Sequence, residues 1–223
     1  MLIRSLIAIA AVFGAVMTGC GQKSPKAGAA ADSDVQPIEQ YIKGKGYEKY
    51  STATFAGGCF WCIEASFERI RGVKDVISGY SGGDEKYPTY EQVGSSATGH
   101  AESVQIYFDP KEVSFDTLLA VFFVAHDPTQ VNRQGPDVGP QYRSAIFYHD
   151  AAQKSKAEAF FKQQAGHFDR PIATQLAPYK EFWVAEGYHQ DYYDHHPENP
   201  YIQRISKPKV AKVEKRFKAI LKK

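Results

Sequence analysis

Ser51-Thr52-Ala53-Thr54-Phe55-Ala56-Gly57-Gly58-Cys59-Phe60-Trp61-Cys62 decides how the rest of the chain is read. Its first part, STATFAG, reads as a strand, and Gly57-Gly58 ends it in a turn. From Cys59 to Arg71 the apolar residues Phe60, Ile63, Phe67 and Ile70 recur at helical spacing. A cysteine therefore opens a helix directly after a glycine turn. Unpaired backbone N–H groups and the helix dipole favour negative charge there. That position predicts a lowered thiol pKa and a thiolate nucleophile at Cys59. Cys62 follows at i+3, where Cα atoms roughly 5–6 Å apart lie inside the disulfide range. Cys59 is thus placed to attack and Cys62 to resolve.

Working outward, Val73 to Tyr80 alternates as a strand and stops at Gly82-Gly83. Glu102 to Phe108 alternates with Val104, Ile106 and Phe108 on one face. Ser114 to Ala125 reads as an apolar helix capped by Ser114. From His126 to Tyr142 no period survives, and Gly, Pro, Gln and Asn are frequent. A loop of that length inside a compact domain is usually functional. Arg143 to Tyr148 reads as a strand, Ala151 to Ala165 as a polar-faced helix, Pro171 to Leu176 as a strand and Glu186 to His195 as a short helix. No internal repeat is present. The interleaving predicts an α+β single domain with a mixed β-sheet flanked by helices.

The 223 residues divide by composition. Met1 to Arg4 is a short basic start, and Ser5 to Gly19 is an uncharged run too short to span a bilayer comfortably. The run closes on Met17-Thr18-Gly19-Cys20, which resembles a bacterial lipobox. Residues 1–19 are therefore expected to be a lipoprotein signal peptide, and residues 20–49 a lipidated Cys20 with a flexible tether. Residues 50–205 are expected to form the catalytic domain and 206–223 a basic amphipathic C-terminal helix. These assignments place the protein in the bacterial cell envelope, anchored in a membrane through lipid on Cys20. Hydrophobic residues at 43% and charged residues at 23% exclude a disordered chain and a polytopic membrane protein. The 14 Tyr, 14 Phe and 2 Trp predict a well-filled core and an aromatic-lined pocket. A net charge of +2 gives no electrostatic case for nucleic acid. Between Lys207 and Lys223, eight Lys or Arg face one Glu, with Val210, Val213, Phe217, Ile220 and Leu221 at helical spacing.

With Cys20 assigned to lipid, an exported chain retaining only Cys59 and Cys62 has no structural disulfide framework. Other uses of the pair compete. It could be half of a zinc site completed by His100, His126, His189, His195 or His196, although no second Cys pair exists. It could be an inert core pair, or the dithiol of a thioredoxin-like exchanger.

Gly57 to Cys62, GGCFWC, resembles the signature of the peptide methionine sulfoxide reductase A (MsrA) family. Matching stretches continue at Gly79-Tyr80-Ser81-Gly82-Gly83, Pro88-Thr89-Tyr90, Gly99-His100-Ala101-Glu102 and His126-Asp127-Pro128. Others are Arg133 to Gly139, Gln141 to Ser144, and Ala185-Glu186 followed by His189-Gln190. The resemblance spans about Thr52 to Arg204 and implies a two-layer α/β sandwich. It also implies reduction of the S epimer of methionine sulfoxide. Cys59 would be the nucleophile, Glu102 the proton donor, and Tyr90 and Tyr142 the hydroxyls that hold the sulfoxide oxygen. Phe60 and Trp61 would wall the S-methyl group, Asp137 would orient the site, and His189 would lie near the pocket. From sequence alone Glu102 reads equally as a solvated strand end, and each tyrosine as an ordinary core or surface residue. The implied cycle needs no metal, flavin or nucleotide. Its partners are oxidised proteins and an external thioredoxin-like thiol donor, acting on a chain expected to be a monomer. Some relatives carry resolving cysteines in a C-terminal tail; here no Cys follows Cys62.

Overall fold

A computed structural model of the chain describes residues 35–223. The signal peptide and Cys20 of the sequence reading lie outside the described residues. In chain order the elements begin with β1 (Gln36–Pro37), α1 (Ile38–Tyr41), β2 (Ser51–Gly57), α2 (Phe60–Glu68) and β3 (Val73–Ser81). Next come α3 (Tyr90–Gly94), β4 (Ala101–Phe108), α4 (Phe115–Ala125), β5 (Arg133–Gln134) and β6 (Asp137–Val138). The chain closes with β7 (Ser144–Tyr148), α5 (Ala151–Gln164), β8 (Gln175–Pro178), β9 (Phe182–Val184), α6 (Tyr192–His195) and α7 (Lys207–Arg216).

Seven strands form one sheet in the order β1-β9-β3-β4-β2-β7-β8. Every neighbour is antiparallel except β7 and β8, so the sheet is mixed as expected. Strand alternation sends Phe55, Val76, Tyr80, Val104, Ile106 and Ile146 into the main core. There they meet Phe60, Ile63 and Phe67 of α2 and Leu118, Leu119 and Phe122 of α4. The Phe55 and Phe122 rings stack 4.8 Å apart, which ties β2 to α4. Ser114 caps α4 as predicted, its hydroxyl accepting the Thr117 N–H at 3.1 Å.

Three expectations need correction. Residues 35–49 are not tether: Ile38 and Tyr47 pack with Ile77, Tyr107, Phe182 and Val184 on the second face of the sheet. The Tyr47 and Tyr107 rings stack 4.5 Å apart. The apolar residues of this segment are too few and too irregular to show a period, so only the sheet reveals their use. Nor is there a domain boundary at residue 205. Val210 and Val213 of α7 are buried in the main core, and Arg71 N–H donates to Ile220 O at 2.8 Å. The third correction concerns the C-terminal half. Glu186–His195 is a 3₁₀ turn and the single turn α6, separated by Asp191 in the left-handed region at φ 54°. The strand expected at Pro171–Leu176 sits at Gln175–Pro178. β9 is only three residues long, too short to alternate visibly. The aperiodic loop 126–142 folds into the β5–β6 ribbon and a 3₁₀ turn, Pro140–Tyr142.

Candidate active site

The strand-turn-helix unit at residues 51–68 is clamped by the loop 126–142. Gly58 sits at φ +89°, and a Cβ there would lie 2.5 Å from Gln134 Cβ. Both reasons demand glycine. Gln134 is itself fixed: it accepts the Asp127 N–H at 3.1 Å and donates to Asp127 O at 3.0 Å. Cys59 becomes the N-cap of α2, and its carbonyl accepts the Cys62 N–H at 3.2 Å. The next free helix donor, Phe60 N–H, goes to Glu102 Oε2 at 3.1 Å. Glu102 belongs to β4 opposite Tyr80 and is 2% exposed, so it is not a solvated strand end.

A cavity of about 300 Å³ brings together Cys59, Phe60, Trp61, Tyr90, Glu102, Asp137 and Tyr142. Tyr90 begins α3 behind a capping box in which Thr89 Oγ1 accepts Gln92 N–H and Gln92 Oε1 accepts Thr89 N–H. Its own N–H donates to Glu186 Oε1 at 2.8 Å. Tyr142 ends the 3₁₀ turn, which Gln141 anchors by donating to Gly94 O at 2.8 Å. Asp137 on β6 accepts the Tyr201 hydroxyl at 2.6 Å.

Two expected members stand behind the cavity wall. His189 accepts the Trp61 indole N–H on Nδ1 at 3.2 Å and packs 4.4 Å from the Tyr90 ring. Burial pushes its pKa down to about 4, so it supports Trp61 and Tyr90 as a neutral ring. Cys62 is 1% exposed and faces Ser206. Conversely, Asn199 and Tyr201 line the cavity and escaped the sequence reading. They sit at the start of the helical turn that leads through Ile202–Ser206 into α7, where no spacing separates Tyr201 from the other tyrosines.

Among the described residues no three His, Cys, Asp or Glu side chains converge in a metal-holding group. His126 bonds Phe122 O and Ser144 Oγ, both at 2.7 Å, and His100 bonds Glu85 O at 2.8 Å. Two of the histidines that would complete a zinc site, His100 and His126, are thus committed elsewhere.

A model of the peptide methionine sulfoxide reductase family matches residues 51–221. The chain belongs to that family. It is 52% identical over 169 residues to peptide methionine sulfoxide reductase MsrA of Thermus thermophilus, covering 76% of this chain and 96% of that protein. The MsrA of Haloquadratum walsbyi is 51% identical over 166 residues, 74% of this chain and 95% of its own length. Reduced Mxr1 of Saccharomyces cerevisiae is similar in structure, with TM-score 0.63 and 35% identity over 68% of this chain and 88% of its own. Methionine sulfoxide reductase A of Corynebacterium diphtheriae gives TM-score 0.61 and 34% identity over 69% of this chain and 78% of its own. The expected MsrA fold and family are therefore established, and the enzyme reduces methionine sulfoxide in peptides.

For such a reductase the electrostatics are specific. Burial raises the Glu102 carboxyl to about 8, against the opposing pull of the Phe60 N–H. Glu102 therefore carries a proton at neutral pH. Burial also raises the Tyr90 phenol to about 12 and pushes Tyr142 up, so both remain hydrogen-bond donors. The lowered thiol expected at Cys59 is not found. Burial first, and then the hydrogen bond to Cys62, push the Cys59 thiol up. Cys62 receives that hydrogen bond and falls to about 7. The two thiols share one hydrogen bond and titrate as a pair, and a helix start alone does not overcome the desolvation of Cys59.

Proposed function

We propose that Cys59 attacks the sulfoxide sulfur of an S-epimer methionine sulfoxide while Glu102 protonates the oxygen. The supporting observation is that one cavity holds a thiol, a neutral carboxyl and two phenols, walled by Phe60 and Trp61. Phe60 and Trp61 form the apolar wall for the S-methyl group, and the Tyr90 and Tyr142 hydroxyls hold the oxygen. Asp137, fixed by Tyr201, orients the substrate backbone at the mouth. As Cys59 attacks, its proton passes along the shared hydrogen bond to the Cys62 sulfur. The substrate S–O bond and the new sulfur–sulfur bond then break as the oxygen, directly or by exchange with water, bonds to Cys59 Sγ, so methionine leaves as the thioether and Cys59 is left as a sulfenic acid. Cys62 then bonds to Cys59, the S–O bond breaks, and the oxygen departs as water. A thioredoxin-like dithiol reduces the Cys59–Cys62 disulfide by exchange.

The decisive experiment is dithiothreitol-driven reduction of separate S and R epimers of a methionine sulfoxide peptide, with Cys59→Ser and Cys62→Ser alongside. Turnover confined to the S epimer and absent in Cys59→Ser supports the assignment. In Cys62→Ser a single stoichiometric turnover remains, slowed by loss of the Cys62 proton acceptor, and thioredoxin-driven cycling is lost. Disulfide exchange without sulfoxide turnover would favour a dithiol exchanger.

Residues 1–34 carry a second part of the proposal. The Met17-Thr18-Gly19-Cys20 sequence supports cleavage before Cys20, lipidation of that cysteine and anchoring in the bacterial cell envelope. The enzyme then acts on oxidised exported proteins as a tethered monomer. Incorporation of labelled palmitate, lost in Cys20→Ala, tests the anchor; equal labelling of both forms would refute it.

A further inference from the structure

The cavity accounts for Cys59 but leaves Cys62 turned toward the C-terminal helix. The Cys62 sulfur lies 3.1 Å from Ser206 Oγ, and both residues are buried. Ser206 closes a π-helical turn, Ile202–Ser206, which runs directly into α7. Such turns recur at functional sites because they re-aim side chains out of helical register. One turn further along, the Lys209 Nζ is buried without a hydrogen-bond partner among the described residues. It lines a cleft with His126, which approaches Gly57, and Gln134, which packs on Gly58. A desolvated ammonium with no partner is unfavourable unless an anion faces it.

The ionisable groups whose charge acts on Cys62 come from several elements. They are Cys59 of its own segment, Glu102 of β4, Asp137 of β6, Tyr193 of α6, Tyr201 and Lys209. Lys209 is the cation of this set, and every other member is neutral or anionic. We propose that Ser206 and Lys209 form an anion seat for the Cys62 sulfur, so that in the Cys59–Cys62 disulfide a dithiol donor attacks Cys59 and releases Cys62. This inference rests on the reading of Cys62 as the resolving thiol.

The chemistry follows from access and leaving-group stability. Cys59 opens on the cavity, whereas Cys62 is absent from its lining. A donor thiolate bonds to Cys59 Sγ, the Cys59–Cys62 bond breaks, and its electron pair stays on Cys62 beside Lys209. The donor's second thiol then attacks the mixed disulfide, becoming oxidised with its partner, and Cys59 leaves and takes up a proton. Exchange is faster when the departing sulfur is the better-stabilised thiolate. The same seat serves the earlier step, where Cys62 attacks the sulfenic sulfur of Cys59. The Cys62 pKa of about 7 agrees with this, with Lys209 and Ser206 both among its lowering influences.

Lys209 and Ser206 act through Cys62 and are positioning residues. Three measurements on the full-length chain test them. First, mass spectrometry after one turnover is expected to show a Cys59–Cys62 disulfide. Second, the thiolate ultraviolet absorbance of Cys62 is titrated in the Cys20→Ser, Cys59→Ser background. There Lys209→Met should raise the midpoint by about one pH unit, Lys209→Arg should restore it, and Ser206→Ala should shift it upward by less. Third, a thioredoxin with only its attacking cysteine should be trapped on Cys59, and Lys209→Met should slow donor reduction of the disulfide about threefold to tenfold. An unmoved midpoint in Lys209→Met, or a trap on Cys62, overturns the seat while leaving Cys62 as the resolving thiol. Absence of the disulfide overturns both readings.

Discussion

Two carboxyls are buried around helix α2, and they differ in what they face. Glu102 meets the N-terminal end of the helix through the Phe60 N–H and opens on the cavity beside Cys59. Glu64 lies mid-helix, 1% exposed, with Oε1 accepting the Ser78 hydroxyl at 2.9 Å and Oε2 unpartnered among the described residues. Burial pushes both carboxyls up, Glu102 to about 8. A raised pKa therefore does not mark the catalytic acid. What sets Glu102 apart is the Cys59 thiol beside it and a cavity with room for a ligand oxygen, which the proposed acid role requires.

The contrast is broken most directly by swapping each acid for its amide. Glu102→Gln is expected to lower kcat by about 10²-fold or more, as removal of a general acid does. Glu64→Gln should stay within about threefold, since only one neutral hydrogen bond to Ser78 is altered. Steady-state sulfoxide reduction checks both, and equal losses would erase the distinction. Next in size are Tyr90→Phe and Tyr142→Phe. Each should reduce kcat about fivefold to tenfold, the worth of one hydrogen bond to the oxygen. A change in KM with constant kcat would instead make them ground-state contacts.

A pH profile sharpens the same contrast. Single-turnover reduction should fall as pH rises through about 8, where Glu102 loses its proton. Glu64→Gln should keep that limb, and the residual activity of Glu102→Gln should lack it. The smallest effect is on stability. A carboxyl raised from 4.5 to about 8 on folding contributes stability in full below its unfolded pKa. That contribution declines as pH rises from 4.5 towards 8, because the folded chain then binds more protons than the unfolded one. Glu102→Gln should therefore raise the urea midpoint at pH 8 more than at pH 4.5, and Glu64→Gln should do the same. A gain confined to acid pH would contradict the raised values.

Much of the catalytic face was legible because local signals agree there. β2, the glycine turn and α2 each follow from period and turn chemistry within a short window, and Cys59 at the helix start follows from them. Its pKa did not. The helix end is a local feature, whereas desolvation and the neighbouring Cys62 are set by everything packed on top. His189 was placed near the pocket, yet whether it touches substrate or supports Trp61 depends on the side chain between them. Tyr201 and Asn199 carried no signal, because they reach the cavity from a short helical turn far along the chain.

Sequence by itself determined the strand-turn-helix with its two cysteines, the alternation of β4 that carries Glu102, the mixed α+β class and the family resemblance. Each is written in residues close together or in motifs kept in order. Tertiary structure alone decided which sulfur opens on the cavity and which faces Ser206, and that Ile38 to Tyr47 covers the second sheet face. It also decided that the basic C-terminal segment belongs to the core through Val210 and Val213. The physical reason is common to all three. Burial and charge at a position depend on chain segments tens of residues away, and a periodic pattern shows which face is apolar without showing what covers it.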